Sequence, residues 1–281
     1  MRRTVVALLV VVAAGCGTTV DPVEPARTED AAAPSAEPVP GLQAEAVRLR
    51  TDEAVGGRFQ VRVTNTGDEA FTVTAVALDS PGFTALPAAT RTTEFAPGRV
   101  IDLPTAYGEP VCDAGPVPAA AQLSVARPGG VTESVRVPLA AEALVLIHEE
   151  ECAVRAVEKV VHVAVTGLVD DGDALSGSLT LTRQAGNEPV VATTLYRSVL
   201  VDVAAEGLPL ELAGDERSGT TAVSFTPATC DPHVLSETKK PYVFPLTVQV
   251  GDDDPVPVDL PLDEAARDQL AALVQRVCAD A

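Results

Sequence analysis

The sequence predicts a mainly β chain, organised as two tandem β-sandwich repeats that each close with a short helix. Three observations carry this: apolar residues alternate with period two through the body, turn residues interrupt them at short intervals, and cysteines and strand-like runs recur at an offset of about 120 residues. At 281 residues the chain has room for two domains of ordinary size. It is 46% hydrophobic, but with six Phe, three Tyr and no Trp its core must be filled by Val, Ala and Leu.

Residues 1–15 read as an export signal. Arg2 and Arg3 precede an apolar run from Thr4 to Ala14, which as a helix would rise about 16 Å, roughly half a bilayer core. The run ends in Ala13-Ala14-Gly15-Cys16. Small residues directly before a cysteine resemble the lipobox of bacterial lipoproteins. The resemblance implies cleavage before Cys16, attachment of lipid to that residue, and a place on the outer face of the cell membrane. Residues 16–42, rich in Pro, Ala, Thr and Glu without apolar periodicity, read as a disordered tether. Its reach would be about 30 Å as a loose coil and about 80 Å if extended by its prolines.

The first repeat is expected over 43–158. Phe59, Val61 and Val63 alternate with polar residues, Asn65-Thr66-Gly67-Asp68 supplies a turn, and Phe71, Val73 and Ala75 follow, which predicts a hairpin. The second repeat, 159–281, opens the same way around Ala185-Gly186-Asn187. Further hairpins are expected in "LSVARPGGVTESVRV" and "LTVQVGDDDPVPVDL". Each repeat ends in a helix-like stretch, the second with Leu270, Leu273, Val274 and Val277 on one face. Short, evenly spaced strands and abundant turns suggest an immunoglobulin-like sandwich. A lipobox followed by two Cys-Asp repeats also resembles two-repeat lipoproteins of high-GC Gram-positive bacteria, a group that lends it no activity.

Apart from Cys16 the cysteines are Cys112, Cys152, Cys230 and Cys278, two per repeat. An extracytoplasmic setting favours disulfides, and three connectivities are possible. Duplication favours Cys112 with Cys152 and Cys230 with Cys278, each worth about 4 kcal/mol in the chain-entropy account.

Other local motifs are weak. "ATCDPHVLSETKK" gathers Cys230, Asp231, His233 and Glu237, but with Cys230 oxidised His233 and Glu237 alone are expected as ligands, short of the three or four that zinc takes, so a surface loop is expected there. His148, beside Glu149, Glu150 and Glu151, reads as the solvated side of a helix, and His162 as a structural residue on a strand. Ser236-Glu237-Thr238-Lys239 matches the Ser-x-x-Lys pattern of penicillin-interacting enzymes without its companion motifs. The acidic turns Asp170-Asp171-Gly172-Asp173 and Asp252-Asp253-Asp254 lack an EF-hand ligand series. No metal or cofactor is expected, and no catalytic residue. A net charge of −20 argues against nucleic-acid partners. The expected role is a membrane-anchored binding or scaffold module for an envelope protein or cell-wall component. The alternative is an accessory subunit of a cell-envelope enzyme or transporter.

Overall fold

The computed structural model describes residues 36–279. The expected leader, Cys16 and residues 16–35 of the expected tether lie outside the described residues. The first half contains β1 (Leu42–Val47), α1 (Arg50–Val55), β2 (Arg58–Asn65), β3 (Phe71–Asp79), β4 (Ala89–Phe95), β5 (Val100–Ala106), β6 (Ala120–Ala126), β7 (Thr132–Ala140) and α2 (Glu142–Val160). The second contains β8 (Val161–Asp170), β9 (Leu175–Arg183), β10 (Val190–Leu195), β11 (Val201–Ala205), β12 (Leu210–Leu212), β13 (Ser218–Pro227), α3 (Pro232–Glu237), β14 (Pro245–Val250), β15 (Val256–Asp259) and α4 (Glu264–Ala279).

In the first half a single sheet runs β4-β3-β6-β7-β1-β2-β5. Strand β7 is its fold line: Thr132–Pro138 pair antiparallel with β6, then Leu139 and Ala140 pair parallel with β1. Phe59, Val61 and Val63 of β2 therefore share one core with Phe71 and Val73 of β3 and Phe95 of β4. Phe71 stacks on Phe95 with ring centroids 5.2 Å apart. The second half has two sheets, β12-β10-β14-β15 and β11-β13-β9-β8, enclosing a second core that includes Leu179, Leu181, Phe225, Phe244 and Leu246.

The two halves share one strand order. The row β4-β3-β6-β7 corresponds to β12-β10-β14-β15, and β1-β2-β5 corresponds to β8-β9-β13, with β11 added at the outer edge of the latter. The correspondence extends to irregularities. The β3–β6 register slips between Val73 and Ala75, opposite Val125 and Ser124. The β10–β14 register slips between Ala192 and Thr194, opposite Val248 and Thr247. The bulge in β3 also moves the inward-facing positions from odd to even numbers, so that Val73 and Val76 are both fully buried.

Two expected hairpins do not form. β2 pairs with β1 and β5, whereas β3 pairs with β4 and β6, so Asn65–Asp68 carries the chain from one layer to the other. The buried Asn65 side chain builds this corner by donating to the carbonyls of Glu69 and Phe95, each at 2.9 Å, and accepting from Gly67 N–H at 2.9 Å. The chain around Ala185-Gly186-Asn187 crosses likewise, because β9 pairs with β8 and β13 while β10 pairs with β12 and β14. The other two hairpins do form, β6 with β7 and β14 with β15. Positive φ at Gly129 and Gly130 makes the first of these tight turns possible.

Helix α2 joins the halves. Its Leu144 and Ile147 enter the first core, Val157 enters the second, and Val160 runs directly into β8. Helix α4 buries Ala266, Leu270, Leu273 and Val274, and Asp263 caps its start by accepting from Ala266 N–H at 2.8 Å. The disulfides join Cys112 to Cys152 on α2 and Cys230 to Cys278 on α4. No helix among the described residues is long and apolar enough to cross a membrane.

His148 corrects the expectation of a solvated position. It is buried, with Nε2 3.2 Å from the Val111 carbonyl and its ring edge-on to Phe83. Glu149 and Glu150, which follow it, turn to solvent, while Glu151, three residues on, lies on the His148 side and is only partly exposed.

Candidate functional site

A cleft of about 880 Å³ lies between the first half, helix α2 and the β14–β15 hairpin. That volume falls within the usual range for ligand pockets. Three layers of sequence meet there, and none is near another in the chain.

The first wall is organised by Asp52 on α1. Its side chain is buried, and both oxygens are engaged: Oδ1 accepts from Arg58 Nε at 3.0 Å and Gln60 Nε2 at 2.8 Å, while Oδ2 accepts from Leu49 N–H at 3.1 Å. A buried carboxylate survives only with such partners. The short helix α1 is thereby pinned to β2, and its end at Gly56, with φ of 72°, borders the cleft.

The second wall is α2. Tyr107, just after β5, donates its hydroxyl to Glu151 Oε1 at 2.7 Å and accepts from Gly57 N–H at 3.2 Å. Burial and the bond to Glu151 push the Tyr107 hydroxyl up to about 12. Arg48 bonds Glu150 at 2.6 Å and lies 3.9 Å from Glu53. These contacts tie α2 to the first half on the side facing the cleft.

The third wall is the outer strand β15. Leu260 N–H donates to the Phe244 carbonyl at 3.0 Å, so with a period of two Val258 and Val256 turn their backbone groups toward β14. Pro257 and Pro255 turn the other way, offering carbonyls without N–H donors. Proline at these positions prevents the edge from pairing with another strand. Lys240 also borders the cleft, its Nζ ending 3.7 Å from where a Cβ on Gly56 would stand. Desolvation between these walls holds the Asp259 carboxyl above the ordinary carboxylate range, and Lys240 pulls it the other way. With Glu53, Glu150, Glu158 and Asp254 also on its surface, the cleft is rich in acceptors and carries more acids than bases.

Of the residues singled out in the sequence, Glu150, Glu151 and Asp254 line this cleft and the others lie elsewhere. His233 is exposed in the short helix α3, which Asp231 caps by accepting from His233 N–H at 2.8 Å, so a helical turn replaces the expected loop. Ser236 bonds the His233 carbonyl at the end of that helix, and Lys239 lies beyond it, away from the helix-opening position that Ser-x-x-Lys chemistry needs. His162 is an exposed residue of β8. Asp170 is bonded by Arg276 at 2.8 Å. Among the described residues no group of three or more His, Cys, Asp or Glu is placed to hold a metal ion. The cleft residues left no local motif, since their signal is convergence from distant segments.

No family model matches the chain, and no curated protein matches it. Among solved structures it is similar to red sea bream transglutaminase, at 13% identity over 80% of this chain and 32% of that one, with a TM-score of 0.23. It thus spans about a third of the transglutaminase's length. It is also similar to the YadV chaperone, at 13% identity over 79% of this chain and 100% of that one, with a TM-score of 0.22.

Proposed function

We propose that this chain is a lipid-anchored extracytoplasmic binding protein, built of two tandem immunoglobulin-like modules, that takes a basic segment of an envelope partner in the cleft between them. The observation that carries the reading is the acceptor-rich cleft itself. Its carboxylates and outward proline carbonyls match a ligand that supplies cationic and N–H donors. The leading Ala13-Ala14-Gly15-Cys16 and the two disulfides support an exported, lipid-anchored setting. The shared strand order and matching bulges support an origin by duplication.

The test is photo-crosslinking in native membranes with the crosslinking residue at Ala153 or Val154, both on the cleft wall. A basic partner should be captured from the cleft and lost as salt is raised. A Glu150→Gln, Glu158→Gln, Asp254→Asn variant should lose that capture while staying folded. Equal capture by this variant would overturn the cleft reading. Cys16→Ser should release the protein from the membrane or leave its precursor uncut, and normal membrane retention would overturn the anchor.

A further inference from the structure

We propose that Cys112–Cys152 is a thiol-exchange site, reduced by a dithiol protein and re-formed by the disulfide form of such a protein, while Cys230–Cys278 is a structural staple. The two bonds occupy equivalent places in the halves but have different surroundings. Cys112 is exposed and lines a cavity of about 440 Å³ together with Pro110, Asp113, Arg155 and Lys159. Cys278 instead packs against the apolar core of its half.

The surroundings of Cys112–Cys152 match the needs of exchange. A thiolate must approach one sulfur, and the other must leave with its charge stabilised. Arg155 and Lys159 place two cations at the mouth of the cavity, with Asp113 opposing them and Glu109 paired to Arg155. On a chain of net charge −20, such a mouth suits an anionic nucleophile better than most of the surface. On the other side, Cys152 Sγ lies 3.7 Å from His148 Nε2, one helical turn earlier on α2. The Val111 carbonyl, 3.2 Å from the same nitrogen, can only accept, so with the proton on Nε2 that N–H donates to Val111 and must be shared or redirected to reach Cys152.

The exchange balances as follows. The partner's thiolate attacks Cys112 Sγ, the Cys112–Cys152 bond breaks, and Cys152 departs as a thiolate toward which the His148 Nε2–H turns from the Val111 carbonyl. The partner's second thiolate then attacks the mixed disulfide and releases Cys112. The partner is oxidised from dithiol to disulfide, and this chain gains two electrons and, from its partner and water, two protons. Because Cys152 sits on α2 next to Glu151, opening the bond frees one attachment of the helix that forms a wall of the cleft.

The experiment is timed reduction of the folded protein by dithiothreitol and by a Cys-x-x-Cys oxidoreductase, with differential alkylation of each cysteine read by peptide mass. Cys112–Cys152 should open at least about tenfold faster than Cys230–Cys278. His148→Phe should slow the first bond and leave the second unchanged, and His148→Gln, which keeps a side-chain N–H, should recover part of the rate. Arg155→Ala with Lys159→Ala should slow only the first bond. Equal opening of the two bonds in the unsubstituted protein would overturn the proposal without recourse to a variant, as would an unaltered rate in folded His148→Phe.

Discussion

Thr74 and Thr193 occupy the same position in the two halves: each is the extra residue of a bulge in the strand that pairs with β6 or β14. A bulge interrupts the ladder and turns the strand, so its recurrence at matching places shows that the halves repeat one strand arrangement down to its irregularities. The inserted β11 at the edge of β13 is where the copies differ most in their strands.

If each copy retains its own core, the second should fold alone. A fragment of residues 156–281 keeps Val157, both second-half sheets, α4 and Cys230–Cys278. It should give a dispersed amide NMR spectrum and a cooperative urea transition. A collapsed spectrum would show that the second half depends on the first for its fold.

The corner at Asn65 makes a sharper prediction. Asn65→Ala would leave the buried Phe95 carbonyl and two other backbone groups without their partner. Loss of buried hydrogen bonds of this kind costs about 2 kcal/mol or more. The urea midpoint should fall at unchanged slope. A neutral substitution would mean that the corner is held by its backbone bonds alone.

Asn65 also shows where sequence pattern stops being informative. The alternation of Phe59, Val61 and Val63 identified a strand, and the Pro-Gly-Gly and Gly-Asp-Asp turns identified true hairpins. Asn-Thr-Gly-Asp looks equally turn-like, but what makes it a corner is a bond from Asn65 to Phe95, which no local window contains. The bulge in β3 left no such signal, because it is defined only against β6. The disulfide pairing was legible from the cysteine count and the repeat offsets. The cleft was not, since α1, α2 and β15 contribute to it from three distant parts of the chain, and its acids read individually as solvated charge.

Asp52 tests whether that cleft wall is preorganised. Asp52→Asn preserves shape but turns one acceptor into a donor facing Arg58 and Gln60, which are donors themselves. A cost of about 2–3 kcal/mol is expected from the unmatched buried groups. Backbone amide signals of 49–60 should broaden or shift, while those of the second half stay in place.

Tyr107 provides the pH-dependent test. Its hydroxyl rises from the ordinary 10.0 to about 12, first because it is half-buried and second because it donates to Glu151. In the unfolded chain the phenol loses its proton near 10, whereas in the folded chain it keeps it to about 12. Its contribution to stability is therefore complete below pH 10 and is lost as the pH rises toward 12. Tyr107→Phe should cost about 1 kcal/mol at neutral pH by removing the bonds to Glu151 and Gly57. The gap in unfolding free energy between the two proteins should hold steady up to pH 10 and close above it. Phenolate absorbance in the unsubstituted protein should show one tyrosine titrating near 12 that is missing in Tyr107→Phe. If the gap instead widens above pH 10, the hydroxyl is not held as a donor to Glu151, and the link between β5 and α2 is of another kind.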